Sequence, residues 1–208
     1  MDVICRYLDV SFLNDDALFQ QYLSSLASKQ RKEKAVSFRI KSARNLSLGA
    51  SLLLEQMLRD EGITDYQLVY EPSGRPVLSS GSLQFSLSHS GTTAVCAMSS
   101  TPVGADVEQI KAIRVRGILR YFHPAEVSYI EQAEQEDLAF IRLWTRKESY
   151  GKRTGAGIGY DLKQYCFIEN DDSDAEFKFH ELLLPQHLIT VCTARHETVL
   201  FEKAEIHL

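Results

Sequence analysis

The chain has 208 residues, of which 44% are apolar and 25% charged, with a net charge of −5. That length allows one large domain or two small ones packed together. The acidic balance excludes general nucleic-acid binding, which needs a broad basic surface.

No stretch approaches the roughly 20 apolar residues of a membrane helix, so no membrane partner is expected. The opening "MDVICRYLDVSF" lacks the basic start and long apolar core of a signal peptide, which makes a cytoplasmic location the expectation. Cys5, Cys96, Cys166 and Cys192 form no CxxC pair, so zinc and disulfide-framework readings lack support. All four are expected to be small buried apolar residues.

In chain order, "VICRYLDV" predicts a strand, and "NDDALFQQYLSSLAS" a helix with Asn14 as its N-cap. "RKEKAVSFRIKSAR" (31–44) holds six Lys or Arg residues and one Glu. It reads either as a solvated helix face or as an anion site for a small phosphorylated ligand. "SARNLSLGASLLLEQMLRDEG" has helical apolar spacing and stops at Gly62. "YQLVYEPSGRPVL" alternates and turns at Pro72–Ser73–Gly74. "SLQFSLSHSGTTAVCAMSS" predicts two strands joined through a Ser-His-Ser-Gly turn, and "TPVGADVEQI" a further strand.

The second half predicts a helix around "RYFHPAEVSYIEQA", with Pro124 in its first turn, and a longer one over "DLAFIRLWTRKESYGKRTG". Short strands follow near 162–169, 175–183, 188–194 and 198–201. The expected fold is α+β, with two similar lobes joined near residue 102, each a small, mostly antiparallel sheet with helices.

Three constellations could carry chemistry. Residues two apart on a strand point the same way, so Asp106 and Glu108 project together. They form either an exposed face or a divalent-cation site, and Mg²⁺ suits one or two carboxylates with substrate phosphates. In "WTRKESYGK" (144–152), Glu148 and Lys152 share a helix face while Lys147 points elsewhere. Alone this is a surface ion pair; next to Asp106 and Glu108 it adds a third oxygen and a cation for phosphate. "FSLSHSG" (85–91) has no nucleophile elbow and better suits phosphate binding by Ser88 and His89 in a turn. Arg75, in the rigid "GRP" turn, could grip a phosphate. "GAGIG" (155–159) follows a helix rather than a strand, so a dinucleotide fingerprint fails and a flexible loop is expected.

Read together, "GRP", "FSLSHS", "GADVE", "FHPAE" and "WTRKESYGKRTGAGI" resemble the Sfp-type 4′-phosphopantetheinyl transferases in order and interval. The resemblance runs from about residue 31 to about 168. Its specific parts are the Gly-x-Asp-x-Glu and Trp-x-x-Lys-Glu-x-x-x-Lys segments, about forty residues apart. Two departures, Ala105 in place of a branched apolar residue and Arg75 where lysine is frequent, look tolerable.

The resemblance implies a pseudo-twofold fold of two lobes, residues 1–101 on the nucleotide side and 102–208 with the metal and catalytic residues. Coenzyme A would lie between them. The implied reaction moves 4′-phosphopantetheine from coenzyme A to a serine of an apo acyl or peptidyl carrier protein, with Mg²⁺, releasing adenosine 3′,5′-bisphosphate. Asp106, Glu108 and Glu148 match the metal carboxylates, and Lys152 the phosphate-gripping lysine. Glu126 in "FHPAE" matches a position proposed as general base or metal-water ligand; Glu148, acting through a water, is the competing and preferred base. Arg31, Lys34, Arg44, Arg75, Ser88 and His89 match the side that holds the nucleotide phosphates. "VRGILRY" (Val115–Tyr121) is a candidate carrier-docking segment, and two fused lobes suggest that a monomer suffices. Rival readings are a metal-dependent nucleotide phosphohydrolase and an inactive relative that only binds coenzyme A or a carrier.

Overall fold

Alternation decides which way each strand faces. In β1 (Val3–Asp9), Val3 and Cys5 point to one side of the sheet, and Ile4 and Leu8 to the other. The computed structural model describes residues 3–72, 74–81, 83–112, 118–156, 162–169 and 176–207. It shows an α+β protein. After β1 come α1 (Asp16–Ser25), α2 (Lys29–Ser37), α3 (Lys41–Asp60), β2 (Leu68–Tyr70), β3 (Pro76–Leu78), β4 (Gln84–Ser90) and β5 (Thr93–Ser99). Then follow β6 (Gly104–Gln109), α4 (Pro124–Glu131), α5 (Glu136–Thr154), β7 (Phe177–Leu183), β8 (His187–Ala194) and β9 (Val199–Lys203).

The strands form a four-stranded sheet in the order β4-β5-β1-β9, a three-stranded sheet β6-β8-β7, and the β2-β3 pair. All pairings are antiparallel except β1 with β9. The last strand therefore returns from the second half of the chain to the sheet built by the first.

Three apolar clusters hold these layers. Leu48, Leu53, Leu54 and Leu58 of α3 are wholly covered against the four-stranded sheet, each contributing about 1.5–3 kcal/mol. A second cluster joins α4 and α5 to the three-stranded sheet through Ile130, Phe140, Leu143, Phe179 and Leu188. The third lies between the sheets: Val3, Cys5, Val95 and Ala97 face Val103, Ala105, Val107, Ile189 and Val191. β5 is buried along its whole length because Ala94, Cys96 and Met98 face α3 while Val95 and Ala97 face the other sheet.

Several expectations need correcting. The N-cap of α1 is Asp15, not Asn14; its carboxylate accepts from Ala17 N and Leu18 N, while residues Ser11–Asn14 form a 3-10 turn. Ser88, His89 and Ser90 belong to β4 rather than to a turn, because Gly91 (φ 59°) makes the reversal immediately after them. Residues 162–169 form no strand. Leu162–Gln164 is a 3-10 turn, and the backbone beyond it bonds to side chains: Phe167 N to Glu126, Tyr165 O to Lys147, and the carbonyls of Phe167 and Ile168 to Arg146. Cys5, Cys96 and Cys192 are buried as expected, but Cys166 is exposed. Most of the loop expected at 155–159 lies outside the described residues.

Candidate functional site

The strand that carries "GADVE" is an edge strand. Val103, Ala105 and Val107 enter the core between the sheets, so period-two alternation turns Gly104, Asp106 and Glu108 to the opposite face. α5 lies across that face. A Cβ on residue 104 would collide with the carbonyl oxygen of Ser149 and stand 2.5 Å from Arg153 N. Glycine is needed there because helix and strand backbones touch. That approach brings Lys152, one turn on from Glu148, over the carboxylates: its Nζ donates to Asp106 Oδ1 at 2.7 Å and to Ala105 O at 3.0 Å.

The neighbouring edge, β4, supplies a row of hydroxyls. Ser86, Ser88 and Ser90 alternate along it and all face β6. Ser86 Oγ accepts from Ala105 N at 2.9 Å, and Ser90 Oγ accepts from Gln109 N at 3.2 Å. These hydroxyls satisfy backbone donors that a missing ladder would leave bare. Ser88 Oγ donates to Asp106 Oδ1 (2.7 Å), and Ser90 Oγ to Glu108 Oε2 (2.6 Å). Ser88 is thus attached to the carboxylate site, although it also borders the basic cleft. Sequence reading missed Ser86 and Ser90; the period-two serines in "SLSHS" were the available signal.

The electrostatics are those of a crowded anionic corner. Asp106 is 4% exposed, and its Oδ2 is buried with no hydrogen-bond partner among the described residues. Burial pushes the pKa of Glu148 up, and the charges of Asp106 and Glu108 push it further, against Lys152. Burial also raises Glu108, with Asp106 adding to the rise and the Ser90 hydrogen bond opposing it. Lys152, joined by Lys111 at Glu108, is set against three carboxylates, and among the described residues the buried Oδ2 of Asp106 is left without a partner. The chemistry of the donor set fits a hard divalent cation, although no group of three Asp, Glu, His or Cys side chains among the described residues forms a ready-made metal cluster.

Two clefts meet at Lys152. One, of about 370 Å³, has Arg75, Pro76, Glu148, Gly151 and Lys152 in its walls. The other, of about 290 Å³, is lined by Arg31, Lys34, Phe38, Ser88, His89 and Lys152. Arg31 is 6% exposed and is fixed by its Nε donating to Ser51 Oγ at 2.9 Å. The α2 helix that carries Arg31 and Lys34 is anchored by Glu55, whose buried carboxylate accepts from Ala27 N and Ser28 N. The imidazole of His89 has its pKa lowered, by burial first and then by the charges of Lys152 and Arg31. The basic run is therefore more than a solvated face, since two of its cations line a cleft.

Two expected nucleotide-side residues behave differently. Arg44 is exposed, lies outside the lining of either cleft, and donates through Nε to Phe38 O at 2.7 Å, tying the α2–α3 corner. Arg75 borders the larger cleft, yet its Nη1 donates to Lys152 O at 2.8 Å, fastening the β2–β3 hairpin to the end of α5.

Glu126 is not brought to the site. It is wholly buried at the start of α4, where Oε2 accepts from His123 N and pairs with Lys147 Nζ at 2.9 Å, and Oε1 accepts from Phe167 N. Both of its oxygens are engaged in the core, and Glu126 is in the lining of neither cleft, which does not suit the expected base or water-ligand role. Lys147 does point away from Glu148, as expected, but into the core rather than to solvent. Residues 115–117 of the proposed docking segment lie outside the described residues.

The model of the 4′-phosphopantetheinyl transferase superfamily matches residues 102–202. The chain is 30% identical to the 4′-phosphopantetheinyl transferase psf-1 of Bacillus pumilus, over 84% of this chain and 82% of that one. It is 28% identical to the 4′-phosphopantetheinyl transferase gsp of Aneurinibacillus migulanus, over 76% and 68% of the two chains. Identity to the 4′-phosphopantetheinyl transferase Sfp of Bacillus subtilis (strain 168) is 26%, over 80% and 77%. No described helix is long and apolar enough to cross a membrane.

Proposed function

The chain belongs to the 4′-phosphopantetheinyl transferase superfamily, and we propose on that premise how its residues divide the work. The enzyme transfers the phosphopantetheine group of coenzyme A to a carrier protein. In our reading the acceptor is a serine hydroxyl of an apo acyl or peptidyl carrier protein. Its oxygen forms the new bond to phosphorus, the diphosphate P–O bond breaks, and adenosine 3′,5′-bisphosphate leaves with that electron pair.

The observation that carries this reading is the meeting of the two clefts at Lys152, beside the buried and unpartnered Oδ2 of Asp106. Arg31, Lys34 and His89 hold the nucleotide's phosphates in the basic cleft. Lys152 presents its ammonium to the diphosphate, where negative charge builds as the bond breaks. Asp106, Glu108 and Glu148 would hold Mg²⁺, which when bound neutralises charge on the diphosphate. Glu148 takes the serine proton on its carboxylate through a water, from the wall of the cleft it shares with Lys152. One chain suffices in this reading, since α2, α3, β3, β4 and α5 all contribute to the two clefts. Four unpaired cysteines suit a reducing cytoplasm.

The test is to incubate the protein with coenzyme A, Mg²⁺ and an apo carrier protein, and to weigh the carrier intact. A gain of one phosphopantetheine is expected, abolished by leaving out coenzyme A or adding a chelator. An unchanged carrier mass with coenzyme A hydrolysed would point instead to a phosphohydrolase.

A further inference from the structure

We infer that Glu126 is a positioning residue for the transfer reaction, acting through Lys147 to set the rotation of α5, and that it exchanges no proton with substrate. This inference rests on the reading of Glu148 and Lys152 just given.

Lys147 and Glu126 form an ion pair in which neither side chain has any exposed surface. The ammonium also donates to Tyr165 O at 2.8 Å and lies 5.4 Å and 5.1 Å from the ring centres of Phe122 and Phe167. It is held from three directions: by α4, by the segment before β7, and by aromatic faces. The carboxylate is held as fully, through the α4 N-cap and Phe167 N.

Lys147 directly precedes Glu148, and successive side chains on a helix are about 100° apart. Fixing Lys147 into the core on one flank of α5 therefore fixes the direction of Glu148 and, one turn on, of Lys152. On the sheet side the helix is set by Thr145 against Thr190, through hydroxyls 2.7 Å apart, and by the bare backbone of Gly104. Those contacts set how closely α5 approaches β8 and β6. The buried pair sets how it is turned.

A second consequence follows from the acid. A solvent-excluded carboxylate with both oxygens engaged cannot reach a serine hydroxyl. The pair's contribution is geometric, so a neutral pair of similar shape can replace it. A general base could not be replaced in that way.

The experiment compares the whole enzyme with Glu126→Gln and with Glu126→Gln combined with Lys147→Met. Carrier loading is measured against pH, with the wild-type protein in the same assay showing that transfer itself occurs. Glu126→Gln removes the negative charge that offsets the buried Lys147 ammonium, and turnover should fall by about tenfold or more. Removing the ammonium as well should return turnover to within about threefold of wild type, with the acidic limb of the pH profile unmoved. A double variant as inactive as the single one, whether folded or not, overturns the inference. So does an acidic limb that disappears in either variant.

Discussion

Gly104 lies under the carbonyl oxygen of Ser149, close enough that a Cβ at position 104 would collide with it. This contact of strand with helix brings Lys152 of α5 to Asp106 of β6. Gly104→Ala must push α5 away from β6, at a cost of about 1–3 kcal/mol. Thermal melting should show the loss of stability. Carrier loading should fall further than stability alone explains, because Lys152 moves with the helix. Unchanged loading would mean that the close approach is not needed for chemistry.

Glu148 predicts opposite effects on stability and activity. Its folded pKa is raised above the ordinary value of 4.5 by burial and by Asp106 and Glu108. Between the unfolded and folded values the native state binds more protons than the unfolded state, so ionising Glu148 destabilises the fold as pH rises. In metal-free buffer Glu148→Gln should melt higher than wild type at pH 7, with the gain vanishing below about pH 4.5, while carrier loading with Mg²⁺ present is lost. A variant that melts lower at pH 7 would contradict the anionic crowding.

Lys152 is the ammonium that offsets this crowding at Asp106, with 27% of its side chain exposed. Lys152→Met removes the charge placed to meet the diphosphate, and turnover should fall by about 100-fold or more. Single-turnover loading at saturating coenzyme A is the measurement. A loss confined to KM would assign Lys152 to ground-state binding alone.

His89 reports on the basic cleft. Its pKa is lowered from the ordinary 6.5, so the ring is neutral at pH 7. The folded state takes up fewer protons than the unfolded one as pH falls through 6.5, and stability from this group is lost on acidification. Adenosine 3′,5′-bisphosphate bound beside Arg31 and Lys34 adds negative charge and should raise the pKa. An NMR titration of the imidazole with and without the nucleotide checks this, and a pKa that stays put would remove the nucleotide from this cleft.

What could be read from the chain alone was whatever depends on local period. Strand alternation put Asp106 and Glu108 on one face, and helical spacing put Glu148 and Lys152 on another; both hold because a side chain's direction follows from backbone geometry within a few residues. The stop of α3 at Gly62 (φ 75°) and the proline start of α4 were local in the same sense. "HPAE" even carried the mark of a capping box, with its glutamate three residues after the cap.

Tertiary structure decided which polar groups remain available. Glu126 and Glu148 are alike in the sequence, but only packing shows that Lys147, from another helix, consumes the first and leaves the second in the cleft. In the same way Ser88 and Ser90 turn to carboxylates on a strand from the other sheet, and Arg75 to the carbonyl of Lys152. The reason is physical: a buried charge or hydroxyl must find a partner, and the partner comes from whichever part of the chain the core brings beside it.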